Sequence, residues 1–153
     1  MSVLARFQTD AELVRIDQIH SGMPDLEDWE LLIALHQRPE AWEGLITTDS
    51  SMLNQGPELA TLIQTKLTLV VATASGDDPV KASGLLFAYL SGICKRTRPD
   101  VAQVWTLSAA NRPAHKPWDL LQRFAEHNNR TTEDVWDEFR LTEEQLSNDP
   151  LAD

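Results

Sequence analysis

The apolar and polar positions of this chain change period several times. Leu13-Val-Arg-Ile-Asp-Gln-Ile19 alternates, the pattern of a half-buried or edge strand. Ser21 to Asp25 is rich in turn formers. Leu26 to Gln37 then sets Leu26, Trp29, Leu32, Ile33, Leu35 and His36 largely along one side, which predicts a helix with His36 on its half-buried flank. Asp25, Glu27 and Asp28 suit its first turn, and Arg38-Pro39 ends it. Leu45-Ile-Thr-Thr48 predicts a short strand that stops at Asp49-Ser-Ser51. A helix over Pro57–Gln64 follows, with proline at its first position. Leu67 to Thr73 is a continuous apolar run, as a strand covered on both faces requires. Ser75-Gly-Asp-Asp-Pro79 carries an N-cap signal for a long helix to Arg96. Ala102–Ser108 reads as a strand, Trp118–His127 as a helix, and Thr131–Phe139 as a short capped helix.

Strands alternating with helices define repeated βαβ units. The expected fold is α/β, a three-layer α/β/α sandwich around a mostly parallel central sheet with right-handed crossovers. At 153 residues the chain is long enough for one domain held by its own core. That domain is expected over residues 1–140, with residues 141–153 as an acidic tail that frays. The five tryptophans fall on predicted helices and strands or beside them, where layer packing is the expected role.

Charge divides the chain more sharply than composition does. The net charge is −11, but residues 1–78 carry −9, residues 79–123 carry +5, and residues 124–153 carry −7. The total argues against duplex binding driven by the field of the whole protein. The basic middle leaves a local polyanion contact open, through Lys95, Arg96, Arg98, Arg112 and Lys116. The same cations also complement a helix end without any ligand. The lone cysteine, Cys94, lies in an apolar run and is expected to be a buried, inert thiol in a reducing compartment. With no apolar run of membrane-spanning length, the expectation is a cytoplasmic protein.

The candidate chemistry is carboxylate chemistry. Ligands of open parallel sheets bind beyond the carboxyl ends of the strands. Asp25 and Asp28 follow the first predicted strand, Asp49 ends the second, and Asp77 and Asp78 follow the third. Acids gathered at such an edge repel one another, and a bound cation relieves that cost. Mg²⁺ takes one or two carboxylates, with waters and phosphate oxygens completing its shell. Asp25, Asp28, Asp77 and Asp78 also suit helix starts with no metal present. Asp49, between an apolar strand and Ser50-Ser51, is the most site-like of the five. Gly-rich phosphate loops, a Gly-x-Ser-x-Gly elbow and zinc-ligand spacing are all missing from the sequence. His115, between Pro113 and Pro117, is expected in a mobile basic loop.

The stretch Val14-Arg-Ile-Asp-Gln-Ile-His-Ser-Gly-Met-Pro-Asp-Leu-Glu-Asp-Trp-Glu-Leu-Leu, followed by Leu45-Ile-Thr-Thr-Asp49, resembles the PIN-like toxin-type nucleases over residues 10–110. The shared pattern is a strand, a Pro/Asp loop, an acidic helix start, and an apolar strand ending in Thr-x-Asp. The resemblance implies a PIN-like fold and cleavage of single-stranded RNA with Mg²⁺ or Mn²⁺ held by several acids. It also implies the toxin role in a toxin–antitoxin pair, with an antitoxin protein as partner and a homodimer as assembly. By position it assigns Asp49 and Asp28 as metal-holding and catalytic, Asp25 as the alternative at the helix start, and Asp77 or Asp78 as a later ligand. The family's pattern opens with an acid-bearing strand and a helix, whereas Met1–Thr9 matches only the end of that helix. Either the start is truncated or a metal ligand has been lost. Loss of the ligand implies weak metal binding and little cleavage, and so a second reading: a non-catalytic, nuclease-like interaction domain.

Overall fold

In the computed structural model, which describes residues 11–75, 78–108 and 113–152, three short strands lie among seven α-helices. In chain order they are α1 (Ile16–Ile19), α2 (Asp28–Gln37), β1 (Gly44–Thr47), α3 (Gly56–Thr65), β2 (Thr68–Val71), α4 (Pro79–Arg96), β3 (Gln103–Thr106), α5 (Pro117–His127), α6 (Thr132–Phe139) and α7 (Glu143–Ser147). Single 3-10 turns occupy Met23–Asp25, Ser50–Leu53 and Thr73–Ser75. The fold is α/β, and no helix among the described residues is long and apolar enough to cross a membrane.

The sheet is wholly parallel, in the order β1-β2-β3. All four residues of β2 are buried, because layers cover both of its faces. One face carries Leu45, Leu69, Val71 and Val104 into the main core. There they meet Leu31, Leu32 and Leu35 of α2, Leu59 and Leu62 of α3, Leu121 of α5 and Val135 of α6. The other face carries Ile46, Val70 and Trp105 against α4, through Ala82, Leu85, Leu86, Tyr89 and Ile93, with Ala114 beside them. Arg96 lies over the Trp105 ring, 4.6 Å from its centroid. Gly44 is required by the β1–β2 pairing, since a Cβ there would lie 2.0 Å from the Thr68 carbonyl oxygen.

Crossovers α3 and α4 step in the same direction along the sheet but lie on opposite faces. Two such connections cannot share a hand. One of them is therefore left-handed, contrary to the expectation of right-handed crossovers throughout.

Residues 13–19 depart from the predicted strand. Ile16 and Ile19 stand three apart, a spacing that serves one helical turn as well as an alternating strand, and both pack on the main core from α1. Asp17 pairs with Arg15 at the surface instead of entering either layer. α2 begins at Asp28 because Glu27 and Glu30 form a reciprocal capping box. Five consecutive residues, Leu31–Leu35, are buried, and His36 is exposed rather than half-buried. His115 is not in a free loop: its backbone exchanges hydrogen bonds of 2.9 and 2.7 Å with Val104, extending the β3 edge.

The acidic C-terminal stretch is docked. α7 has its own capping box between Thr142 and Gln145. Gln37 donates to the Leu146 carbonyl, Arg38 pairs with Asp149, and Leu151 packs against the main core. Among the tryptophans, Trp105 is buried. Trp118 is 39% exposed and meets Trp136 edge-on at 5.7 Å, a surface pair more than a core one.

Candidate functional site at the carboxyl edge of β1

β1 delivers Asp49 to the edge of the sheet, two residues past its last paired position. The Asp49 N–H donates to Thr47 Oγ1 at 3.0 Å. Asp49 Oδ1 accepts the Ser51 N–H at 2.8 Å, capping the 3-10 turn Ser50–Leu53. Hydrogen bonds from the Ser51 side chain and backbone hold the Asp49 carboxyl below its ordinary pKa, so it is ionised at neutral pH.

Helix directions bring two further acids to Asp49. α2 leads into β1 and α3 leaves it, so both helices begin at the strand's carboxyl edge. The first residue of α2 is Asp28, and the third of α3 is Glu58. Partial burial raises the Asp28 pKa, and the negative charges of Asp49 and Glu27 raise it further. Glu58 is only 5% exposed. Its pKa is also raised, first by burial and then by Asp28, Glu27 and Asp49. With its amide nitrogen turned toward Glu58, Gln55 donates to both carboxylate oxygens at 3.2 and 3.3 Å. The partial positive ends of α2 and α3 offset part of the mutual repulsion.

The edge thus gathers Asp28, Asp49 and Glu58, with Glu27 beside them. Glu58 is absent from the expected set. Its signal was available: an acid in the first turn of a helix that starts where an acid-tipped strand ends. Other expected residues fall elsewhere. Asp25 is exposed in the Met23–Asp25 turn, ahead of the start of α2. Asp78 is the N-cap of α4, accepting from the Val80 and Lys81 N–H groups, which is its capping role without a metal. Asp77 lies outside the described residues, as do Arg112 and the Met1–Thr9 stretch.

The described basic residues are not part of this edge. α4 starts beyond the carboxyl end of β2 and runs antiparallel to the strands for eighteen residues. Lys95, Arg96 and Arg98 therefore sit toward the amino ends of the strands, away from Asp49. Lys116 follows His115, which pairs with Val104 rather than with the strand tips.

Among the described residues, no three His, Cys, Asp or Glu side chains form a closed set able to hold a metal ion. The edge instead offers carboxylates that feel one another's charge from three separate elements. That donor set suits a hard, oxygen-seeking cation held by one or two carboxylates, with water and phosphate oxygens supplying the rest. The fold and site together define an α/β domain with an acidic strand edge. In comparisons with known proteins, no family model, curated protein or solved structure matches the chain.

Proposed function

We propose that the chain is a metal-dependent ribonuclease of the PIN-like kind, acting on single-stranded RNA with Mg²⁺ or Mn²⁺. The observation that carries this reading is the convergence of Asp28, Asp49 and Glu58 at one strand edge, with two of the three carboxyls raised in pKa by burial and mutual charge. Asp49, held ionised by Ser51, is the primary metal-holding group. Asp28, whose raised pKa favours proton uptake, both shares the cation and accepts a proton from the attacking water. Glu58, bound by Gln55, supplies negative charge from the buried side of the site. A divalent ion at this edge would lower the pKa of a bound water and stabilise charge developing on the phosphate. An antitoxin protein and a homodimer belong to the same proposal.

The test is cleavage of a single-stranded RNA by the purified chain with Mn²⁺, beside Asp49→Asn and Asp28→Asn. Cleavage that falls by about a hundredfold or more in both variants supports the assignment, in keeping with loss of a metal-holding or acid–base group. Undiminished cleavage by Asp49→Asn removes Asp49 from the mechanism.

A second reading, a non-catalytic interaction domain on a nuclease-like scaffold, is favoured by the lack of a closed three-ligand set among the described residues. Micromolar Mn²⁺ affinity by calorimetry counts against it.

A further inference from the structure

Helix α4 buries one face, and among the described residues no layer covers the opposite face. Ala82, Leu86, Tyr89 and Ile93 recur at spacings of four, three and four, and pack on Val70, Trp105 and Leu107. The outward face carries Val80, Lys81, Gly84, Phe87, Ala88, Ser91 and Lys95. Val80 is 78% exposed and Phe87 53%. A Cβ added at Gly84 would meet nothing within 4 Å, so the backbone is open to approach between the two apolar side chains. On α5 and α6, which pack on the other face of the sheet, the exposed positions include Asp119, Arg123, Glu126, Glu133, Asp137 and Glu138 beside Trp118. Among the described residues, Val80 and Phe87 are the two most exposed large apolar side chains.

Its charge pattern says what the stripe accepts. The helix contains no Asp or Glu in a chain of net charge −11. Lys81 and Lys95 bracket the stripe at its two ends, fourteen residues or about 21 Å apart along the helix. We propose that this face docks an acidic amphipathic helix of a protein partner. The partner's apolar side would cover Val80, Gly84, Phe87 and Ala88, and its carboxylates would meet Lys81 and Lys95. A second copy of the chain fits poorly. Two α4 faces brought together in either orientation oppose lysine to lysine, with no carboxylate on the face to meet them. A nucleic-acid backbone needs cations spaced along its whole track, and here three helical turns between the lysines are uncharged. The inference concerns the face opposite the sheet and does not depend on the ribonuclease reading.

The test uses the full chain and a fluorescein-labelled 18-residue amphipathic peptide with leucines along one face and glutamates flanking it at both ends. Fluorescence anisotropy is expected to show saturable binding, weakened by about tenfold or more in Phe87→Glu, as loss of a central apolar anchor implies. The peptide with lysine in place of glutamate is expected to bind only the Lys81→Glu/Lys95→Glu variant, which carries no change in the apolar stripe. Circular dichroism and thermal melts establish that each variant is folded. Four results overturn the proposal: no saturable binding of the glutamate peptide, equal binding of both peptides to the unaltered chain, sedimentation showing a dimer that Phe87→Glu dissociates, or oligo(U) binding that Phe87→Glu abolishes.

Discussion

Replacing Glu58 with glutamine isolates the electrostatic cost of the acidic edge. Glutamine keeps the side-chain volume in a position only 5% exposed, and removes one negative charge facing Asp28, Glu27 and Asp49. A unit-charge pair some 7 Å apart at an effective dielectric of about 20 repels by roughly 2 kcal/mol, and salt reduces this further. Against that relief stand the helix-start position, at about 0.5 kcal/mol, and the exchange of charge-assisted bonds from Gln55 for neutral ones, at about 1 kcal/mol. The net expectation at pH 7 and low salt is a gain of about 0.5 kcal/mol, or roughly 1–2 °C in Tm for a chain of this size. The sign with pH follows from the raised carboxyl. Neutral Glu58 contributes its stability fully below the ordinary value of 4.5, and that contribution is lost as pH rises through the folded-state value. The advantage of Glu58→Gln is therefore largest at neutral pH and disappears below pH 4.5. Urea unfolding of both proteins at pH 7 and pH 4 checks this. A variant less stable than the parent at pH 7 refutes the repulsion argument and makes Glu58 a net stabilising anchor.

Two further outcomes test the frame that holds the site. Gly44→Ala places a Cβ 2.0 Å from the Thr68 carbonyl oxygen, so β1 and β2 must separate. A loss of about 3 kcal/mol or more is expected by chemical denaturation, because neither backbone can yield. Asp149→Ala leaves the half-buried Arg38 guanidinium without its carboxylate and is expected to lower stability by about 1–2 kcal/mol, with faster amide exchange in α2 as the local readout.

The parts of the fold readable from sequence were those whose signals are local. Pro79 and Arg96 bound α4 as expected, because a capping Asp78, a proline at the first position and basic residues in the last turn all act within one helix. The run Leu67–Thr73 yielded β2 through burial on both faces. Residues 13–19 misled because Ile16 and Ile19 satisfy two periods at once, and the local pattern does not decide between them. The docking of Leu146, Asp149 and Leu151 was hidden for another reason. Their partners, Gln37, Arg38 and Gly22, lie more than a hundred residues away, and acidic composition gave no hint of them. At the candidate site, Asp49 and Asp28 were legible from strand-edge topology. Glu58 was not, because a first-turn glutamate ordinarily explains itself by the helix dipole.

The docked C-terminal stretch has a consequence for how the protein comes into being. Helix α2 carries Asp28 at one end and, at the other, Gln37 and Arg38, which are held by residues 109 and 111 positions later. During synthesis α2 leaves the ribosome more than a hundred residues ahead of the segment that clasps it. The helix that carries Asp28 is therefore secured only after residues 146–149 have followed. A nascent chain stalled before Asp149 would present Asp28 on an unclasped helix.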